Sequence, residues 1–275
     1  VKQTGIFLTH VRSARIDAHF QRLTDETRSI LPWTMGFNPG RGADLEIGVP
    51  YEPAATAIPL RWQAMVDNGG VRGGLLDVAI FSSLLAIEAD YIWVVEYDVD
   101  FAGNWSNFFA QFEDNPADLL TTSVVSQADM PGWHHWPRLK PPVALSEEQL
   151  HRAFLPIMRL SRKMVGAYVR EVNARVWAGH YEAIVPTVAL LLGLQVEDIG
   201  GIGRLCPEVR RGKNYSNNIG GPKLNSGSFV FRPTRPRYFH ESPQDFERHD
   251  LLYHPIKADV APWEIERLDG ATGVS

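Results

Sequence analysis

Tyr91-Ile92-Trp93-Val94-Val95-Glu96-Tyr97-Asp98-Val99-Asp100-Phe101 is the stretch that decides how this chain reads. A run of aromatic and β-branched residues leads straight into a cluster of carboxylates, the pattern of a buried central strand whose C-terminal end opens into a polar site. In an open α/β sheet, ligands bind in the crevice outside the carboxyl ends of the strands, so acids placed there meet the ligand while the apolar body holds position. The two-residue period of a strand puts Glu96, Asp98 and Asp100 on one side and Val95, Tyr97 and Val99 on the other. Two carboxylates that converge repel each other, and a hard cation between them keeps both ionised. Asp98 and Asp100 are therefore candidates for holding Mg²⁺ or Mn²⁺ against a diphosphate, and the plainer reading is an acidic turn after a strand.

Outward from this strand the chain alternates strand and helix. Upstream, residues 70–88 carry Val71, Leu75, Val78, Ala79, Ser82, Leu85 and Ala86 at helical spacing, a crossover helix of the kind that joins parallel strands. Gly5-Ile6-Phe7-Leu8-Thr9-His10 reads as the first strand, with His10 and Arg12 at its rim. A surface helix follows over residues 13–30, and residues 31–59, rich in Pro and Gly, read as a loop with at most one short strand. Downstream, Trp105, Phe108, Phe109 and Phe112 share one helical face. Strands are expected at 118–125, 154–160, 194–199 and 226–233, with Ser161 capping a helix that runs through Val176. The glycines at 200–203 read as a turn.

At 275 residues and 44% hydrophobic content, the chain is long enough for one large α/β domain. A net charge of −5 argues against a generic nucleic-acid binder, which relies on clustered Lys and Arg. The single cysteine, Cys206, forms no intrachain disulfide and suits a reducing compartment. No apolar run reaches the roughly 18 residues of a transmembrane segment, and the opening Val1-Lys2-Gln3 is unlike a signal peptide. The expected location is cytoplasmic, free or peripheral to a membrane.

Three further segments carry chemistry. The loop Met130-Pro131-Gly132-Trp133-His134-His135-Trp136-Pro137 sets two indoles and two imidazoles between prolines. Its indoles are platforms for sugar rings or pins that hold the loop to the core. Glu182, in Gly179-His180-Tyr181-Glu182, falls where a helix begins and is either a dipole-favoured first-turn carboxylate or a general base. As a base it needs burial or a nearby anion to raise its proton affinity. Arg210-Arg211-Gly212-Lys213 is basic and glycine-containing, and suits either an anionic ligand or solvent. Near the end, His254-Pro255-Ile256-Lys257 sets an imidazole and an ammonium three residues apart.

Together, Trp93-Val94-Val95-Glu96-Tyr97-Asp98-Val99-Asp100, the Gly179-His180-Tyr181-Glu182 segment ahead of Pro186-Thr187, and His254-Pro255-Ile256-Lys257 resemble a GT-A type glycosyltransferase. The resemblance implies a Rossmann-like open, mostly parallel sheet flanked by helices. It implies one catalytic domain over residues 1–275, binding the donor through about 1–125 and the acceptor through about 126–275. By the same resemblance, Asp98, Asp100 and His254 hold Mn²⁺ or Mg²⁺, and His10, Arg12, Glu96, Arg211, Lys213 and Lys257 bind a nucleotide-diphosphate sugar. Glu182 deprotonates a glycan or other hydroxyl acceptor placed by Trp133, His135, Trp136 and His180, in an inverting reaction. Two rivals remain: a Mg²⁺-dependent phosphohydrolase with Asp98 as nucleophile, and a noncatalytic carbohydrate-binding domain built on the aromatic loop.

Overall fold

The computed structural model describes residues 1–10, 13–37, 51–71, 74–218, 224–231, 245 and 248–256. In chain order the elements are β1 (Gln3–Thr9), α1 (Ala14–Thr27), β2 (Trp33–Phe37), α2 (Tyr51–Ala57), α3 (Pro59–Asp67), α4 (Leu76–Leu85), β3 (Tyr91–Glu96) and β4 (Asp100–Phe101). They continue with α5 (Trp105–Ala110), β5 (Leu119–Ser126), β6 (His151–Ser161), α6 (Arg162–Ala174), α7 (Tyr181–Leu191), β7 (Val196–Asp198) and β8 (Leu252–Tyr253).

The main sheet has the order β2-β1-β3-β6-β5-β7, and β4 pairs with β8 in a small ribbon. The strands β1, β2, β3, β5 and β7 run in one direction, and β6 alone is reversed. This is an α/β fold with an open, mostly parallel sheet flanked by helices, as the sequence leads one to expect. The C-terminal ends of β1, β3, β5 and β7 therefore share one edge with the N-terminal end of β6. Antiparallel pairing of β3 with β6 stops at Val95↔Ile157, so residues 151–156 of β6 project past the end of β3 and form a ledge beside Glu96.

Local chemistry explains the elements. Ser13, Asn104 and Ser161 cap α1, α5 and α6, each accepting a backbone N–H of the first turn. The apolar face of α5 and the turn after it pack on the central strand: Trp93 is fully buried, with the rings of Phe108, Phe109 and Phe112 at 6.0, 4.9 and 5.6 Å between centroids. The register of β5 against β6 shifts twice between Leu120 and Val125, and Ser123 sits at a left-handed φ of 54°. Such bulges re-aim side chains at sheet ends.

Three expectations need correction. The helix expected over 70–88 begins only at Leu76, because Gly74 takes φ 95° and turns the chain. The stretch read as a loop with at most one short strand contains β2 and also α2, and α3 follows it with Pro59 at its N-terminus, a start signal present in the sequence. The strand expected over 226–233 is reduced to isolated bridges at Gly227 and Phe229, and residues 232–233 lie outside the described residues. No helix among the described residues is long and apolar enough to cross a membrane.

Candidate functional site

The carboxylate cluster at the end of β3 is built differently from a simple alternating strand. β3 ends at Glu96, a turn carries Tyr97 and Asp98, and Asp100 begins a separate strand. Ligand atoms of Glu96, Asp98 and His254 lie within 4.8 Å of one another. Asp100 points elsewhere. Its carboxylate accepts Arg22 Nη1 at 2.7 Å, lies 3.5 Å from His19 Nδ1, and accepts its neighbour's Phe101 N–H at 2.7 Å. Arg22 also donates to the carbonyls of Phe101 and Gly103, so Asp100 helps clamp α1 to the chain beyond the site. The acids that converge are Glu96-Tyr97-Asp98, not Asp98-Val99-Asp100. The two-residue period fails at the turn. We expect Asp100→Asn to cost about 2 kcal/mol of stability through the weakened Arg22 contact, with nucleotide affinity unchanged; urea denaturation beside calorimetric titration checks it.

His254 reaches the acids because several backbone bonds deliver it. β8 pairs with β4 through Tyr253↔Asp100 and Leu252↔Phe101, and the Ile256 N–H donates to the Asp98 carbonyl at 2.8 Å. Leu252 N–H also donates to the Asn214 carbonyl, and His254 N–H to that of Ser228. The imidazole Nδ1 lies 2.6 Å from the Val230 carbonyl oxygen, which can only accept, so Nδ1 carries the hydrogen. Nε2 then presents its lone pair 3.5 Å from Asp98 Oδ2. A ligating histidine whose other nitrogen is anchored on a carbonyl is the usual outer-shell arrangement of a metal site. Two carboxylates and one such imidazole fit Mn²⁺ or Mg²⁺, the mixed nitrogen and oxygen set favouring the former.

Glu182 stands in the first turn of α7. Gly179 before it takes φ 125°, and a Cβ there would meet Leu139 Cα at 2.9 Å, so only glycine lets the aromatic loop dock on this turn. Arg61 secures the same turn from beneath: its guanidinium grips Asp77 with two 2.8 Å bonds, Tyr168 donates to Asp77 at 2.6 Å, and the carbonyl of Gly74 accepts the Tyr181 N–H. His180 caps α7 by accepting the Glu182 N–H, and its Nδ1 lies 3.7 Å from Glu182 Oε2. Burial pushes the Glu182 carboxyl up to about 7, against the opposing pull of Arg152 and of a hydrogen bond from Leu155 on the β6 ledge. Burial is thus what poises it. The adjacent Tyr181 hydroxyl is pushed well up by burial and then by the charges of Glu96, Glu182, Asp77 and Asp98.

The aromatic loop is packed rather than displayed. Trp133 and Trp136 are 5% and 6% exposed, and Trp136 donates its indole N–H to the Met130 carbonyl at 2.8 Å. Of the two readings of these indoles, the structure favours pins that hold the loop to the core, and they support a group of imidazoles. The rings of His134 and His135 are 3.9 Å apart, those of His135 and His180 4.3 Å, and Trp133 lies 5.7 Å from His180. Burial first, then neighbouring positive charge, lowers His135 to about 4 and His180 well below the usual imidazole range, so both are neutral near pH 7.

Of the other sequence candidates, His10 lies at the end of β1 with its ring 4.9 Å from Tyr97, between the two converging acids in sequence. Arg211 and Lys213 are exposed in a turn just before Asn214. Arg12 and Lys257 lie outside the described residues. Arg152 escaped the sequence reading altogether; its only signal was a basic residue just ahead of the stretch 154–160 read as a strand.

No protein-family model matches the chain, and no curated protein matches it in sequence. Among solved structures, it is similar to the bifunctional IspDF from Campylobacter jejuni at 12% identity and TM-score 0.34, over 77% of this chain and 52% of that one. The match thus spans about half of that chain's length. It is also similar to the apo form of mouse xyloside xylosyltransferase 1, at 10% identity and TM-score 0.35, over 72% of this chain and 84% of that one.

Proposed function

We propose that the protein is a glycosyltransferase that moves a sugar from a nucleotide-diphosphate sugar to a hydroxyl acceptor with inversion at the anomeric carbon. The observation that carries this reading is a buried carboxylate poised at about 7, Glu182, bonded to Leu155 of the β6 ledge, whose neighbour Phe154 sets its ring 5.0 Å from that of His254 in the Glu96, Asp98 and His254 cluster. A general base is most effective when its proton affinity lies near the working pH. In this reading Glu182 takes the proton of the acceptor hydroxyl as its oxygen bonds to the anomeric carbon. The bond from that carbon to the diphosphate oxygen breaks, and its electron pair leaves with the nucleoside diphosphate.

Glu96, Asp98 and His254 would hold Mn²⁺ or Mg²⁺ beside that leaving group. Bound there, a divalent cation supplies Lewis-acid neutralisation of the diphosphate charge. His10, Arg12, Arg211, Lys213 and Lys257 are assigned to the donor, within a donor-binding part of about 1–125 completed by late residues. The stacked His135 and His180, backed by Trp133 and Trp136, are assigned to the acceptor part, about 126–275. Their neutral rings can donate and accept hydrogen bonds without repelling an incoming sugar.

A panel of nucleotide sugars offered with mixed glycan acceptors and Mn²⁺ tests the reading, with a phosphomonoester alongside. Release of nucleoside diphosphate that depends on acceptor is expected. Hydrolysis of the phosphomonoester without sugar transfer would instead select the phosphohydrolase with Asp98 as nucleophile, and glycan binding without turnover the noncatalytic domain. The configuration of the product at the anomeric carbon decides inversion.

A further inference from the structure

We propose that Arg152 is the anion-binding group of the acceptor subsite, so that the acceptor hydroxyl belongs to a molecule bearing a carboxylate or a phosphate. This rests on Glu182 being the base that receives the acceptor.

Arg152 is 3% exposed, and neither its Nε nor its Nη2 has a hydrogen-bond acceptor. Other buried arginines are treated differently. Arg61 is bound bidentately by Asp77, and Arg159 donates from both terminal nitrogens to the carbonyls of Phe112, Asn115 and Ala117, with only its Nε unmet, whereas Arg152 lacks an acceptor at a terminal nitrogen as well. Taking a guanidinium out of water without acceptors is costly, and a buried polar group left unmet calls for a ligand, an ion or water to complete it. The fold meets most of this cost where Arg61 and Arg159 hold structure together. It leaves Arg152 incomplete.

Position says what completes it. Arg152 lies on the ledge where β6 runs past the end of β3, opposite Val125 of β5. One residue before it, His151 is stapled to α7 by mutual bonds with the Thr187 hydroxyl, and three residues after it Leu155 bonds to Glu182. Its guanidinium carbon is 5.4 Å from the centre of the Trp133 ring, which itself packs on His180. The electrostatic partners of Arg152 are Glu182 and Tyr215, and it acts in turn on His135 and His180. Glu182, Trp133, His135 and His180 all belong to the acceptor side of the proposed site. A guanidinium fork matches the paired oxygens of a carboxylate or phosphate, and one such group there lets a neighbouring hydroxyl meet Glu182. Trp133 lies close enough to Arg152 for its fluorescence to report occupancy.

The full chain is titrated by calorimetry with glucuronate, glucose 1-phosphate and glucose, and Trp fluorescence is followed in parallel. At least one of the two anions is expected to bind about a hundredfold more tightly than glucose, with a fluorescence change; which one does so separates a carboxylate from a phosphate source. R152Q should abolish the preference, and R152K, which keeps charge but loses the fork, should reduce it about tenfold. R152K decides the matter if R152Q fails to fold. Equal affinity for all three ligands, or a preference untouched by R152K, overturns the inference. Nucleotide-sugar consumption with the same ligands separates the two levels. Transfer to glucose as efficient as to either anion leaves a transferase without this subsite. Anion preference with no transfer to any acceptor leaves an anion site and removes the transferase reading, and with it the acceptor role given to Arg152.

Discussion

Asp98→Ala and His254→Ala should each abolish the dependence of nucleoside diphosphate binding on Mn²⁺, whereas Asp100→Ala should not. The three residues were equivalent candidates in the sequence, so the contrast tests the geometry. Asp98 and His254 belong to the group whose ligand atoms lie within 4.8 Å of one another, while Asp100 is held by Arg22. Changes to the outer shell of a metal site alone typically cost ten- to a hundredfold in affinity, so loss of a direct ligand should cost about a hundredfold or more. The His254 variant carries a complication, since its ring packs against Phe154 and Phe229 at 5.0 and 5.5 Å, and truncation opens a cavity. His254→Gln keeps more of that volume and should lose the metal response with a smaller drop in melting temperature. Calorimetry with nucleoside diphosphate, in Mn²⁺ and then in chelator, reads the effect directly. Equal binding under both conditions in the unaltered protein would shift the diphosphate to Arg211, Lys213 and Lys257.

The sheet was legible because its central strand is both apolar and bounded by acids, and because Ser13 and Ser161 mark helix starts that the structure uses as caps. The site was legible only in its parts. Asp98 and His254 could be paired from their residue types, but which neighbouring acid joins them depends on where β3 ends. A strand that stops at Glu96 and turns at Asp98 changes which side chains converge, and an alternation rule carries no information about its own end point. Arg22, the residue that captures Asp100, sits in a surface helix and looks like any solvated charge until α1 is docked. The Trp133 loop left two readings open for a similar reason: Gly179 has to adopt φ 125° before the loop can pack against its turn, and that contact is long-range. Arg152 was invisible because a basic residue at a strand mouth reads as exposed, and its burial beside Trp133 comes from contacts distant in sequence.

Glu182→Gln separates the structural and chemical roles of the residue most directly. As a first-turn carboxylate Glu182 gains only about 0.3–1 kcal/mol from the helix dipole, and the amide keeps its shape and an acceptor oxygen for the Leu155 N–H. Folding and metal-dependent nucleotide binding should therefore survive. Transfer should fall roughly a hundred- to ten-thousandfold, the usual worth of a general base. The pH response supplies a second signature. With its carboxyl pushed up to about 7, Glu182 is protonated in acid, so transfer should rise with pH and level off above about 7, and the glutamine variant should lose that limb. Stability must move the other way. The unfolded chain releases this proton near the ordinary 4.5 while the folded chain keeps it to about 7. Between those values the unfolded state binds fewer protons, so this group's contribution to stability falls as pH rises and is constant above the upper value. On the proposed function the same carboxyl thus makes transfer faster and the protein less stable across one pH interval, and Glu182→Gln should flatten both slopes together. Transfer rates and urea midpoints measured from pH 5 to pH 8 on both proteins check the pair. A flattened stability slope with transfer nearly normal would leave Glu182 a buried helix-start carboxyl and return the search for a base to His180.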